Sequence, residues 1–214
     1  MNSDSIARHA WRFFYWRVRK LMGRLRSSLN VYRVIRSGRS INLELGSPRR
    51  PEQPGWMCSD WEGDGDFAFD LTKRIPLPDG SVRRIYLSHV LEHFAYPEPM
   101  LRLLRECNRI LALGGELRIA VPDARIFLDA YRDPQRFDRE KYCSWDVGLD
   151  FDSPINYVNF VAHLGGEHKH LFDEYELRRV ILAAGFRAAE RSAYDSSIDL
   201  SRRREESVYA VGIK

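Results

Sequence analysis

The chain has 214 residues, of which 44% are hydrophobic, and it carries a net charge of +4. This is enough apolar material for one globular domain with a core. No apolar run approaches the roughly 18 residues of a membrane span, and the basic, aromatic N-terminus lacks the apolar centre of a secretory signal. These features predict a cytoplasmic protein. The three cysteines, Cys58, Cys107 and Cys143, form no CxxC pair and so predict neither a disulfide framework nor a zinc site.

The positive charge is concentrated at the N-terminus. Residues 1–40 contain ten Lys and Arg residues and a single acid, Asp4, which gives this part a net charge of +9. The rest of the chain therefore sums to about −5, and the basic character belongs to an arm rather than to the body. We divide the chain into a basic helical arm, 1–39, and a domain, 40–214.

The arm is predicted to form an amphipathic helix over residues 8–29. One stripe of its helical wheel is apolar, and arginines occupy most of the rest, with Phe13 and Trp16 among them. The stripe consists of Trp11, Phe14, Val18, Leu21, Met22, Leu25 and Leu29. Three interpretations are open: the stripe covers the following domain, the helix lies on an anionic membrane, or it binds a protein or nucleic acid. No RNA-binding motif accompanies the charge, so nucleic acid is not expected.

Strand-like and helix-like segments alternate after residue 40, which favours an α/β fold with a mostly parallel sheet. Strands are predicted at 41–45, 56–62, 67–71, 82–88, 116–122, 187–194 and 207–214, and helices at 97–115 and 172–186. Gly114 and Gly115 are expected to stop the first helix, and Asp173 is expected to cap the second. Residues 123–171 break this rhythm and are interpreted as an insertion or lid.

Ligands of open α/β sheets bind outside the carboxyl ends of the strands, and here three acids follow three successive strands. The residues at the strand ends are Glu44 with Gly46, Asp60 with Trp61, Asp70 with Leu71, Ser88 with His89, and Pro122 with Asp123. Acids disfavour a pyrophosphate, which binds to backbone N–H groups and positive charge. They suit a ligand with ribose hydroxyls, an exocyclic amine and a cationic centre.

Five stretches resemble, in order, the class I S-adenosylmethionine-dependent methyltransferases. They are "LELG", "CSDW", "DLTKRIPLPDGSVRRIYLSHVLEHF", "LLRECNRILALGGELRIAVPD" and "HKHLFDEYELRRVILAAGF". Within that class they are similar to the bacterial type 11 group, which is often linked to surface-polysaccharide genes. The resemblance implies a doubly wound, mostly parallel seven-stranded sheet of the Rossmann-like methyltransferase fold. It also implies S-adenosylmethionine as the cofactor.

The resemblance assigns each strand-end residue a role toward this cofactor. By this resemblance, Glu44 and Gly46 lie beneath the methionine part of the cofactor. Asp60 accepts hydrogen bonds from the ribose hydroxyls, and Trp61 packs on the adenine. Asp70 accepts from the adenine amine, with the Leu71 backbone beside it, and Ser88 and His89 line the opposite side of the cofactor. One departure stands out, because Gly46 is followed by Ser47, Pro48, Arg49 and Arg50 where the family carries further glycines. Either this loop lies further from the cofactor, or cofactor binding is weakened or lost, or the two arginines reach the cofactor's carboxylate.

Methyl transfer to an oxygen needs a base, and the candidates are His93, Asp123, His168 and His170. His93 has the alternative role of a structural hydrogen bond. His168 and His170 share one face of an extended segment, where the alternatives are a solvated loop or, with His163 or Glu167, a metal. The sequence alone does not lead us to assign a metal site. The pair Gly165–Gly166 would let this loop close as a lid.

The expected function is O-methylation of a glycan or glycolipid precursor at the cytoplasmic face of the membrane, where the basic arm would hold the enzyme. One alternative is a methyltransferase for a small molecule, with an arm that only packs. The other is a catalytically silent, methyltransferase-like subunit that binds a protein partner through residues 8–29.

Overall fold

The computed structural model of the chain describes residues 3–48, 54–143 and 145–214. Its centre is a six-stranded sheet in the order β2-β1-β3-β4-β6-β5. The strands are β1 (Ile41–Leu45), β2 (Trp56–Ser59), β3 (Val82–Ser88), β4 (Leu111–Pro122), β5 (Ala188–Ser192) and β6 (Ser207–Ile213). Strands β1 to β4 are parallel, and β6 runs antiparallel to both of its neighbours. The carboxyl ends of β1, β2, β3 and β4 therefore meet at one edge of the sheet, as expected.

Six α-helices accompany the sheet in the described part of the chain. They are α1 (Ser3–Ser37), α2 (Met100–Ile110), α3 (Ala124–Arg132), α4 (Arg139–Tyr142), α5 (Ile155–His163) and α6 (Glu174–Ala183). The side chain of Asp173 accepts a hydrogen bond from the Glu176 amide and caps α6, as predicted. None of these helices, as far as they are described, has both the length and the hydrophobicity that a bilayer crossing demands.

Three predicted elements differ from the structure. The strand predicted at 56–62 ends at Ser59, because the Asp60 carbonyl accepts from the Gly63 amide in a turn. The segment 67–71 is not a strand, because only Phe67 pairs, in an isolated bridge to Ser59, before Asp70 turns the chain by accepting from the Thr72 amide. The sheet of the described residues consequently has six strands rather than seven. The helix predicted at 97–115 ends at Ile110, because Leu111 is extended and fully buried where it pairs with Val82. Gly114, at φ +73°, then turns the chain within β4.

Helix α1 contacts the domain through Gly23, through polar residues and, near its end, through the buried Val34, rather than through its apolar stripe. Gly23 lies so close to Gly63 that an added Cβ would come within 2.7 Å of the Gly63 Cα atom. Arg26 donates to the Gly63 and Gly65 carbonyls, and Asn30 donates to the Asp66 carbonyl at 2.9 Å. The interpretation that the stripe covers the domain is therefore wrong for its described members. Those members, Val18, Leu21, Met22, Leu25 and Leu29, are all exposed, while the side chains of Trp11, Phe13, Phe14 and Trp16 lie outside the described residues.

Candidate cofactor and acceptor sites

The turn after β1 is tightly built around Gly46. The Gly46 and Ser47 amides both donate to the Ser59 carbonyl, at 2.9 and 3.0 Å, which ties the end of β1 to the end of β2. Gly46 has φ +78°, and an added Cβ would lie 2.5 Å from Val90 Cγ2. Only glycine satisfies both conditions without strain. The first glycine of the expected loop is thus required here, whereas Arg49 and Arg50 lie outside the described residues.

A cavity of about 460 Å³ opens beside this turn, a size typical of small-molecule sites. Its lining residues are Gly46, Ser59, Trp61, Phe69, Asp70, Leu71, Thr72 and Phe94. The ends of β1 and β2 and the segment after Phe67 therefore share one crevice. Four of the residues predicted to hold the cofactor (Gly46, Trp61, Asp70 and Leu71) line it together.

The remaining predicted cofactor residues near this crevice do not line it. Glu44 is completely buried in β1, one strand position before Leu45. Asp60 lies between the lining residues Ser59 and Trp61, and its Oδ2 atom accepts from the Asp64 amide at 3.2 Å. Ser88 Oγ is buried and has no hydrogen-bond partner among the described residues.

Asp70 and Trp61 present complementary groups to this cavity. Thr72 donates to Asp70 Oδ1 from both its amide and its hydroxyl, at 3.0 and 2.6 Å, and these bonds lower the pKa of the Asp70 carboxyl. Asp70 is therefore an anion near neutral pH, as an acceptor for an amine must be. Trp61 is 48% exposed, and the Lys20 ammonium of α1 lies 4.2 Å from its ring centroid.

His89 lies in a separate polar cluster rather than in the crevice lined by Gly46 and Asp70. Its Nε2 atom is 2.7 Å from Ser207 Oγ, and its Nδ1 atom is 2.7 Å from Arg203 Nη1. Because an arginine can only donate, Nδ1 is the acceptor and the ring is neutral. Burial and the charge of Arg203 hold the pKa of His89 well below its usual value. His89 also has φ +53°, an uncommon left-handed conformation for a residue with a side chain.

Glu92, His93 and His168 form the second part of this cluster. Glu92 is 1% exposed, and burial raises the pKa of its carboxyl to about 8. The centroids of the His93 and His168 rings are 5.1 Å apart, and the rings are nearly perpendicular. Burial lowers the pKa of both imidazoles, so both are neutral at physiological pH. The backbone amides of Lys169 and His170 donate to the Glu92 carbonyl, which fixes the His168 segment against the short 3₁₀ turn Leu91–His93.

The other two predicted catalytic residues are engaged elsewhere. His170 Nε2 lies 2.8 Å from Glu176 Oε1 at the start of α6, and not beside His168. The shared face expected for His168 and His170 therefore does not bring their rings to one ligand. Asp123 caps α3 by accepting from the Arg125 amide at 3.0 Å, and its carboxylate also contacts the Arg125 guanidinium.

A narrow cavity of about 40 Å³ joins this cluster to the 123–171 segment. It is lined by His89, Pro122, Phe127, Tyr142, Trp145, Phe160, Val161, Leu164, His168, Arg203 and Glu206. The aromatic residues of the insertion thus form a second core against the sheet edge, with Phe127, Tyr157 and Phe160 buried. Sequence reasoning missed Arg203 and Glu206, because they lie in an irregular segment far along the chain from His89. The only sequence signal for Glu92 was its place inside "VLEHF".

The parallel strands, the crevice at their carboxyl edge and the Asp70 carboxylate that lines it are features of the Rossmann-like methyltransferase fold. Residues 63–119, just over a quarter of the chain, match the type 11 methyltransferase family model, described as a methyltransferase domain. On this fold the match makes the chain a class I S-adenosylmethionine-dependent methyltransferase, with S-adenosylmethionine as its cofactor.

Solved structures resemble the chain over most of its length. A SAM-dependent methyltransferase from Archaeoglobus fulgidus has the same fold and is 16% identical, with a TM-score of 0.50 over 88% of this chain and 94% of that one. A possible histamine N-methyltransferase from Thermotoga maritima is 17% identical, with a TM-score of 0.48 over 95% and 97% of the two chains. Among curated protein sequences, none matches this chain significantly.

Proposed function

We propose that this methyltransferase transfers the methyl group to a hydroxyl of a glycan or glycolipid precursor, at the surface of an anionic membrane. The observation that carries this proposal is the outward orientation of the apolar stripe of α1. Exposed apolar rows are uncommon on soluble proteins and mark interaction sites. A long basic helix that turns its apolar side to solvent has the composition of a helix that lies in a membrane interface.

The exposed stripe continues along most of α1. Its described apolar members are Tyr15, Val18, Leu21, Met22, Leu25, Leu29, Tyr32 and Ile35, with exposed fractions between 38% and 65%. No acid occurs between residues 5 and 40, so every charge that α1 places beside the stripe is positive. Each basic residue near an anionic surface contributes about 1 kcal/mol to binding. Charge and exposure therefore favour anionic lipid over a protein partner.

Another side of α1 is bonded to the loop that follows β2. Arg19 donates to Asp64 at 2.9 Å, and Lys20 lies over Trp61, which lines the cofactor cavity. A helix lying on the membrane would thus hold the cofactor crevice close to lipid-linked acceptors. Placement of the acceptor against the cofactor is a large part of what an enzyme contributes to group transfer.

The acceptor side supports a sugar hydroxyl as the target. Trp145 is 63% exposed and Tyr142 is partly exposed at the rim of the second cavity, and such aromatic faces can stack on the apolar face of a sugar ring. His168 lines the same cavity, and the His93 ring packs against the His168 ring. Both are neutral imidazoles that can accept a proton or coordinate a cation.

Vesicle sedimentation tests the membrane part of the proposal. We expect the full-length chain to sediment with vesicles that contain anionic lipid and not with purely zwitterionic ones. Leu25→Glu places a charge in the stripe and should reduce binding, because each buried apolar side chain contributes about 1.5–3 kcal/mol. Leu113→Glu is the matched control, since Leu113 is 92% exposed and lies in β4, outside the stripe. Equal binding by the two variants would contradict the proposal.

Mass spectrometry tests the acceptor. The protein is incubated with isotope-labelled S-adenosylmethionine and a panel of glycans, lipid-linked glycans and unrelated small alcohols. We expect label in a sugar hydroxyl and faster transfer on anionic vesicles than in their absence. Label only in small molecules would favour the small-molecule alternative. Cofactor binding by calorimetry without any transfer would favour the catalytically silent subunit.

A further inference from the structure

The cluster on the acceptor side contains three potential metal ligands contributed by two distant parts of the chain. One ligand atom each from Glu92, His93 and His168 lies within 4.8 Å of the other two. Ligand atoms bound to one transition-metal ion are roughly 3–4 Å apart, given bond lengths near 2.1 Å. The side chain of His93 is exposed at the surface, so it has room to close this difference and gives an ion a route to the site.

Glu92 is the strongest indication that something is bound here. Its side chain is 1% exposed, and neither carboxylate oxygen has a hydrogen-bond partner among the described residues. His89 Nδ1 is 3.6 Å from Glu92 Oε1, but that nitrogen already accepts from Arg203. A buried carboxylate without a partner is costly. A cation between Glu92 and the two imidazoles would remove this cost.

The two histidines have the hydrogen bonds typical of metal ligands. His168 Nδ1 is 2.6 Å from the Val161 carbonyl, and His93 Nδ1 is 3.2 Å from the Glu167 carbonyl. A carbonyl only accepts, so each Nδ1 carries the proton and each Nε2 keeps its lone pair. Ligating histidines almost always donate the other ring N–H to a carbonyl or carboxylate in this way, which fixes tautomer and orientation.

The two positive side chains beside the cluster have hydrogen-bond partners other than Glu92. Arg203 is a positive side chain that reaches the cluster, and its Nη1 atom is bound by Glu206 at 2.9 Å as well as by His89. The Lys169 ammonium is directed to the Gly166 carbonyl. Glu206 accepts a hydrogen bond from Arg203, whereas the carboxyl oxygens of Glu92 accept none from the described residues.

We propose that Glu92, His93 and His168 form a binding site for a divalent first-row transition-metal ion. Two imidazoles and one carboxylate favour Zn²⁺, Co²⁺ or Fe²⁺ over Mg²⁺ and Ca²⁺, which prefer all-oxygen sites. Three protein ligands leave at least one coordination position open for water or an acceptor oxygen. This set differs from the metal alternative considered from the sequence, in which His168 and His170 were ligands together. His170 is hydrogen-bonded to Glu176 and is not a ligand here.

The test uses the full-length protein without an affinity tag, after chelator treatment and dialysis. Calorimetric titration with Zn²⁺ should show one equivalent per chain, and Co²⁺ should give a visible absorption spectrum that Mg²⁺ does not. His93→Ala removes an exposed ligand with little risk to the core and should weaken Zn²⁺ binding at least tenfold, since the loss of even an outer partner of a ligand costs 10–100-fold. His163→Ala, an exposed histidine outside the set, should leave binding unchanged.

A second variant distinguishes a metal site from a structural cluster. Glu92→Gln keeps the size of this side chain but cannot supply an anionic ligand, so it should abolish the rise in melting temperature that Zn²⁺ produces in the native chain. Absence of stoichiometric Zn²⁺ and Co²⁺ binding, or equal affinity of the native, His93→Ala and His163→Ala proteins, would overturn the proposal. These readouts do not require methyl transfer, so they hold whichever acceptor the enzyme uses.

Discussion

Replacing Gly46 with alanine should damage both the stability of the domain and its affinity for cofactor. A left-handed backbone conformation costs a residue with a Cβ atom about 1–2 kcal/mol, and Gly46 has φ +78°. The new methyl group would also lie 2.5 Å from Val90 Cγ2, and overpacking of this kind costs about 1–3 kcal/mol. We therefore expect Gly46→Ala to lower the free energy of unfolding by about 2–5 kcal/mol, the sum of these two costs, measured by urea denaturation.

Gly114→Ala is the matched control for this experiment. Gly114 has φ +73°, but none of the described atoms lies within 4 Å of the position that a Cβ would take, so only the backbone cost of about 1–2 kcal/mol applies. Gly46→Ala should also weaken binding of S-adenosylmethionine in calorimetry, since Gly46 lines the cavity, whereas Gly114→Ala should not. If both variants lose the same stability and bind cofactor equally, the close packing of the β1 turn against Val90 is not what requires glycine.

Three further outcomes are expected. Asp60→Ala should weaken S-adenosylmethionine binding by about 1.5–3 kcal/mol, the value of a hydrogen bond to a charged group; unchanged calorimetric affinity would place the ribose elsewhere. Arg118→Ala should lower the unfolding free energy by about 3–5 kcal/mol, because it leaves the buried Asp199 carboxylate, which accepts from Arg118 Nε at 2.8 Å, without its ion-pair partner. The control Arg132→Ala, which breaks an exposed ion pair with Asp129, should cost under about 0.5 kcal/mol in the same urea titration. Hydrogen bonding to the neighbouring Arg109 lowers the pKa of Glu106 in the folded protein. The ionised Glu106 therefore stabilises the fold at a pH above its unfolded-state pKa, and this stabilisation is lost as the pH falls. The difference in unfolding free energy between the native protein and Glu106→Gln should shrink from about pH 7 to about pH 3, and a constant difference would contradict this.

Local patterns predicted most of the sheet and the edge of it where the crevice lined by Gly46 and Asp70 opens. The alternation in 82–88 and the acids after successive strands are short-range features, and the alternation follows from the two-residue period of a strand. The same reasoning failed at 67–71, where the apolar residues resemble a strand but Asp70 and Thr72 form a turn that ends pairing. It also extended α2 past Ile110, since an apolar run at a helix end gives no sign that its next residues will pair with β3.

The sequence by itself determined that α1 is an amphipathic, basic helix, because periodicity and charge are properties of neighbouring residues. Which side of that helix faces the domain was decided by the tertiary structure, where Gly23 and Gly63 allow two backbones to approach and leave the apolar stripe outside. The cluster of Glu92, His93 and His168 was likewise decided by packing. His168 lies far along the chain from the other two, and the hydrogen bonds from residues 169 and 170 to the Glu92 carbonyl hold the two segments together.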